Sequence, residues 1–132
     1  NKTIRNKPSN VIMPGYIDGD VIKGALQGAD LFLFPSYEET EGIVVLESLA
    51  SKTPLIVRDI PVYEDWLTDG VDCYKAKDNN EFIEKIKFVL NNDNSKVVEN
   101  GYKIALARDT KIIGKQLIEA YDRVIEITKN KK

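Results

Sequence analysis

Two glutamates eight positions apart, Glu39 and Glu47, flank Gly42 and the start of an apolar stretch at residues 43–51. An ionised carboxylate only accepts hydrogen bonds, so it suits a hydroxyl-rich ligand such as a sugar or a ribose. The stretch 43–51 reads as a helix, and its unpaired amides and dipole would favour an anion such as a phosphate at its start. Eight positions exclude a helical i, i+4 pair, so the two carboxylates are expected to serve different parts of one ligand. Other catalytic chemistries are few. The chain has no His, which removes the commonest general base near neutral pH and every triad built on one. One Cys and no His leave neither a zinc set nor a disulfide framework. Chemistry here falls to carboxylates, lysines or the bound substrate itself.

Elements must position these residues. Short apolar runs bounded by breakers, at residues 11–13, 31–34, 55–57 and around Cys73-Tyr74, read as strands. The runs at 31–34 and 55–57 are apolar on both faces and predict buried strands. Longer stretches of helical period lie between them, at 20–29 with Asp20 available as a cap, at 43–51, and at 61–68 after Pro61. Beyond Asp78 the chain reads as helix after helix. Phe82, Ile83, Ile86, Val89 and Leu90 form one stripe. Residues 91–94 are a loop, and Ile112, Ile113, Leu117, Ile118, Tyr121, Val124 and Ile125 form a second stripe in a helix started by Asp109 and Thr110. Strand and helix in alternation mean parallel pairing, because parallel neighbours need crossovers. The fold class is α/β, a Rossmann-like doubly wound parallel sheet with C-terminal helices. In such sheets ligands lie beyond the carboxyl ends of the strands, which directs attention to the loops after Phe34 and Val57.

The 132 residues make one domain, with a polar lead-in at 1–9, alternating strands and helices at 10–90 and a helical tail at 91–132. With 19 Lys and Arg against 21 Asp and Glu the net charge is −2, which argues against bulk nucleic-acid binding. No apolar run approaches the ~18 to 20 residues of a bilayer span. With one Cys and no leader-like h-region, the reading is a cytoplasmic protein in which the Asn1-Lys2-Thr3 sequon is chance. Lys129, Lys131 and Lys132 follow an amphipathic helix and offer a peripheral contact with anionic lipid.

The order of motifs is informative. Ala29-Asp30-Leu31-Phe32-Leu33-Phe34-Pro35-Ser36 is followed by Glu39-Thr40-Glu41-Gly42 and by Glu47-Ser48-Leu49-Ala50-Ser51-Lys52-Thr53-Pro54, with a later Gly-x-x-Cys-Tyr stretch. Over residues 10–90 this resembles the C-terminal, donor-binding domain of retaining glycosyltransferases of family four with the GT-B fold, which carry a Glu-x7-Glu motif. The resemblance implies that Glu39 contacts hydroxyls of the transferred sugar and acts in catalysis, and that Glu47 holds the ribose of a nucleoside diphosphate. It implies that amides of Thr40, Glu41, Gly42, Ile43 and Val44 hold the sugar and the diphosphate, with Pro35, Ser36, Arg58 and Asp59 as further candidates. It also implies transfer of a hexose, from a UDP-sugar to a lipid or saccharide hydroxyl, without a metal, a cofactor or an enzymic nucleophile. Stabilisation of the departing diphosphate is then the main catalytic term.

Two departures are visible. Thr40-Glu41-Gly42 replaces the family's frequent Gly-Phe-Gly, and together with residues 58–63 it is similar to bacterial enzymes that glucosylate diacylglycerol, which implies a glycolipid acceptor and a place at the inner face of the membrane. The family's N-terminal acceptor domain and the opening units of its donor domain have no counterpart here. The chain is therefore expected to be the later part of a donor domain, partnered by a missing acceptor domain and inactive by itself. Read without the resemblance, the chain is a non-catalytic α/β interaction domain, with Glu39 and Glu41 as solvated charges at a helix start. Arg58 and Asp59 then pair with each other, Cys73 is a small core residue, and Tyr63 and Trp66 are packing. Glu47, among Val44, Val45, Leu46, Leu49 and Ala50, is expected to sit in a largely buried helix and to need a partner.

Overall fold

A computed structural model describes residues 7–129. The elements in order are α1 (Gly19–Gly28), β1 (Phe32–Phe34), α2 (Ile43–Ala50), β2 (Leu55–Arg58), a 3-10 turn at Pro61–Tyr63, β3 (Tyr74–Ala76), α3 (Asn79–Asn91), α4 (Ser95–Ala107) and α5 (Thr110–Lys129). The sheet has three strands in the order β1-β2-β3, all parallel, with Phe32 opposite Leu55 and Ile56 opposite Tyr74. This is the expected Rossmann-like α/β architecture, with helices on both sides.

Alternation along β2 divides the core in two. Leu55 and Val57 face Val45 and Leu49 of α2, with Tyr63, Leu67 and Cys73 completing that layer. Ile56 faces the other way, onto Phe82 and Val89 of α3, with Tyr74 and Ala76 of β3. All four residues of β2 are buried, as two apolar faces require. Helix α4 clamps the assembly. Gly101 comes so close to it that a β-carbon would lie 2.6 Å from the Asp72 carbonyl oxygen and 2.7 Å from Leu49 Cδ2. Burial pushes the Cys73 thiol well above its ordinary range, with Asp72 adding to the effect, so it is an inert core residue.

Several expectations need correction. Residues 11–13 form no strand; Ile12 is 85% exposed, and an apolar run without a ladder partner stays irregular. Strand β1 is an edge strand with Leu33 exposed, not a strand buried on both faces, because no described element covers that face. Helix α1 begins at Gly19 after Asp18, so Asp20 lies in its first turn rather than at its cap. The helix expected at 61–68 is a single 3-10 turn at Pro61–Tyr63 followed by turns. On α3, Phe82 and Val89 are buried while Ile83 and Leu90 are exposed. No residue of α5 is buried, although the helix starts at Thr110 as its cap residues indicate. The sequon at residues 1–3 and Lys131 and Lys132 lie outside the described residues.

Candidate donor site

The site grows from the way β1 hands the chain to α2. Pro35 cannot extend the ladder beyond Phe34, and the chain turns away through residues 35–42. Ser36 Oγ donates to the Glu38 carbonyl at 2.9 Å, a local bond that tightens the turn. At Gly42 the backbone is left-handed, with φ 71° and ψ 48°, and α2 begins at the next residue. A left-handed position costs a residue with a side chain about 1 to 2 kcal/mol. Space forbids one as well, since a β-carbon on Gly42 would stand 2.9 Å from Tyr63 Oη and 3.1 Å from its Cε1. No side chain caps α2, and its first turn carries no acid. The amides and dipole at its start are left for something else to satisfy.

Glu39 is half-buried and lines an open groove of about 310 Å³ with Tyr37, Glu38, Ile60, Pro61 and Val62, between the loop and the Pro61–Tyr63 turn. Thr40, Glu41 and Ile43 are exposed and Val44 is half-buried, so the segment presents its backbone and polar groups outward. Glu47 is not in a buried setting. Helix α2 turns Val45, Ser48 and Leu49 inward and leaves Glu47 and Ala50 on its outer side, so the carboxylate has solvent and needs no protein partner. It lines a cavity of about 340 Å³ between α1 and α2, with Ile22, Lys23 and Leu26 on the opposite wall. The two glutamates thus line separate cavities.

Arg58 and Asp59 do not pair with each other. The Arg58 guanidinium is buried and donates from Nε to the Pro35 carbonyl at 3.1 Å and from Nη1 to the Lys77 carbonyl at 2.8 Å. It lies 3.9 Å from the centre of the Tyr37 ring and 5.2 Å from that of Phe82. The flat cation is held by carbonyls and aromatic faces, a combination that suits Arg and not Lys. Asp59 turns to Lys75, at 3.9 Å. Pro35 is exposed and Ser36 half-buried at the mouth of the loop.

Tyr63 packs as expected, fully buried and edge-on to Trp66 with ring centres 5.7 Å apart. Its hydroxyl is a different matter. Among the described residues it is the buried side-chain polar atom that has no hydrogen-bond partner. Burial first, and the charge of Glu39 second, push its pKa up to about 12. Nothing in the residues 61–63 signals this, because Gly42, which lies against the hydroxyl, is distant in sequence.

The family described as Glycosyl transferases group 1 matches residues 3–104. The chain belongs to this family. Among its relatives is the processive diacylglycerol alpha-glucosyltransferase of Acholeplasma laidlawii, 58% identical over 96% of this chain and 38% of that protein. The alpha-galactosylglucosyldiacylglycerol synthase of Streptococcus pneumoniae is 38% identical over 48% of this chain and 17% of its own length. An N,N'-diacetylbacillosaminyl-diphospho-undecaprenol alpha-1,3-N-acetylgalactosaminyltransferase of Campylobacter jejuni is 31% identical over 76% of this chain and 28% of its own. The chain therefore spans 38% or less of the length of each of these relatives. Among the described residues no helix is long and apolar enough to cross a membrane, and no cluster of acids and Cys has the makings of a metal site.

Proposed function

We propose that this chain is the nucleotide-sugar-binding part of a retaining glycosyltransferase that moves a hexose, from a UDP-sugar, to the hydroxyl of a lipid acceptor. The observation that carries the reading is the uncapped start of α2, left-handed at Gly42 and flanked by Glu39 on one side and Glu47 on the other. The names of the relatives support a lipid acceptor, with the Acholeplasma laidlawii glucosyltransferase as the strongest support for glucose and diacylglycerol.

In this reading the diphosphate rests on the first amides of α2, from Gly42 to Val44, where the dipole offsets the charge that grows on it as the glycosidic bond breaks. Glu39 accepts hydrogen bonds from the sugar's hydroxyls and orients the ring, while Glu47 accepts from the ribose hydroxyls. Neither task needs a metal or a cofactor, and neither needs a residue that titrates near pH 7. The acceptor is chosen by a further, N-terminal domain. A lipid acceptor places the protein at the inner face of the membrane, touching it peripherally.

Calorimetric titration of the full-length protein with UDP-glucose tests the reading. Glu39→Gln and Glu47→Gln are each expected to weaken binding about tenfold, the scale of a lost charge-assisted hydrogen bond. Glu81→Gln, on α3, should leave it unchanged. A wild-type protein with no affinity for UDP, UDP-glucose or UDP-galactose would sink the proposal.

A further inference from the structure

We propose that Tyr63 is a positioning residue for Glu39, its hydroxyl waiting without an acceptor in the free protein and donating to the Glu39 carboxylate once a sugar occupies the loop. The inference rests on the donor-site reading above and adds to it a residue outside the Glu-x7-Glu motif.

Three observations meet here. The Tyr63 ring is fully buried beneath the loop, so its hydroxyl is fixed in place by packing on Trp66 and against Gly42. That hydroxyl has neither a protein partner nor exposure to water. Burying a donor unpaired is unfavourable, and proteins keep such groups where a partner arrives later or strain serves a purpose. Finally, Glu39 is the charged group whose field reaches the phenol, yet no hydrogen bond joins them. Glu39 sits three residues before Gly42, half-buried, and lines the groove beside the Tyr63 turn. The pairing would fix one carboxylate oxygen on Tyr63 and leave the other for a sugar hydroxyl, so the ring's orientation is set by a residue that never touches it.

The same hydroxyl makes the proposal separable from simple packing. Tyr63→Phe keeps the ring and removes only the donor. In the full-length protein the variant should bind UDP-glucose about tenfold more weakly while binding UDP within about twofold of wild type, because only the sugar depends on Glu39. Its thermal midpoint without ligand should not fall, since an unpaired buried hydroxyl contributes nothing to the free state. The double variant with Glu39→Ala should be no weaker than Glu39→Ala alone. Equal weakening toward UDP and UDP-glucose, full additivity in the double variant, or a lowered midpoint would each overturn the proposal and leave the donor site standing. If the wild type itself binds no UDP-sugar, the donor reading falls first and this inference with it. A measurement on the unaltered protein serves as a second test. With tyrosine labelled at Cζ, the Tyr63 resonance should move on addition of UDP-glucose and stay still with UDP, and the same response to both would count against it.

Discussion

Helix α3 enters through Asp78, whose carboxylate accepts from the amides of Asn80 and Glu81 at 2.8 and 3.0 Å, while Glu81 reaches back to the Lys77 amide at 2.8 Å. Helix α2 also starts at the carboxyl end of the parallel strands, through a left-handed glycine, with no capping side chain and no acid in its first turn. At α3 the chain supplies its own anions, in a variant of the capping box in which Glu81 takes the amide of Lys77, one residue before the cap, and a ligand anion would have to displace them. At α2 the corresponding donors are left open and a tyrosine hydroxyl beneath them is left unpaired. Satisfying every polar group is what stability alone favours, and the end that departs from it is the one proposed above to receive a ligand.

The comparison breaks most decisively at Gly42. Replacing it with Ala forces a side chain into the left-handed region and against Tyr63, at a combined cost of roughly 2 to 5 kcal/mol. The thermal midpoint should drop further than for Asp78→Ala, and UDP-glucose affinity should go with it. Asp78→Ala is the counterpart at α3. It should lower stability by about 1 kcal/mol, the usual value of a helix cap, with UDP-glucose affinity unchanged. A variant that lost ligand as well as stability would mean that the two helix starts are not independent. The smallest effect is one of alkaline pH. Below pH 10 the Tyr63 phenol is neutral whether the chain is folded or not. Above it the unfolded chain ionises at the ordinary value while the folded phenol holds its proton up to about 12. Stability should therefore decline as pH rises through that window, and urea midpoints for Tyr63→Phe should decline less steeply over the same range.

Much of this was legible in the residues. Strand β2 announced itself by an apolar run between Pro54 and Arg58, and α5 by Asp109 and Thr110 at its start. The turn after Phe34 and the glycine before Ile43 are local signals, and the structure has both where the sequence indicates them. What was not legible depends on neighbours distant in sequence. Among the described residues, 11–13 have the composition of a strand but no ladder to join, and β1 has the composition of a central strand but lies at an edge. Glu47 read as buried because its neighbours are apolar, whereas α2 turns only one side of itself inward. Arg58 and Asp59 are adjacent in sequence, yet Arg58 is held by the Pro35 and Lys77 carbonyls and Asp59 turns to Lys75. Tyr63 read correctly as packing, and its missing acceptor emerged only from the fold.

Arg58 has a consequence for motion. One guanidinium grips the Pro35 carbonyl at the mouth of the candidate site and the Lys77 carbonyl at the threshold of α3. Neither segment can lift from the sheet without letting go of the same ion. Residues 35–42 and 77–81 should then form one cooperative opening unit, taking up deuterium at matched rates although one helix start is closed and the other open. Arg58→Met should divide that unit in two, and the loop at the open helix start would be the part that exchanges first.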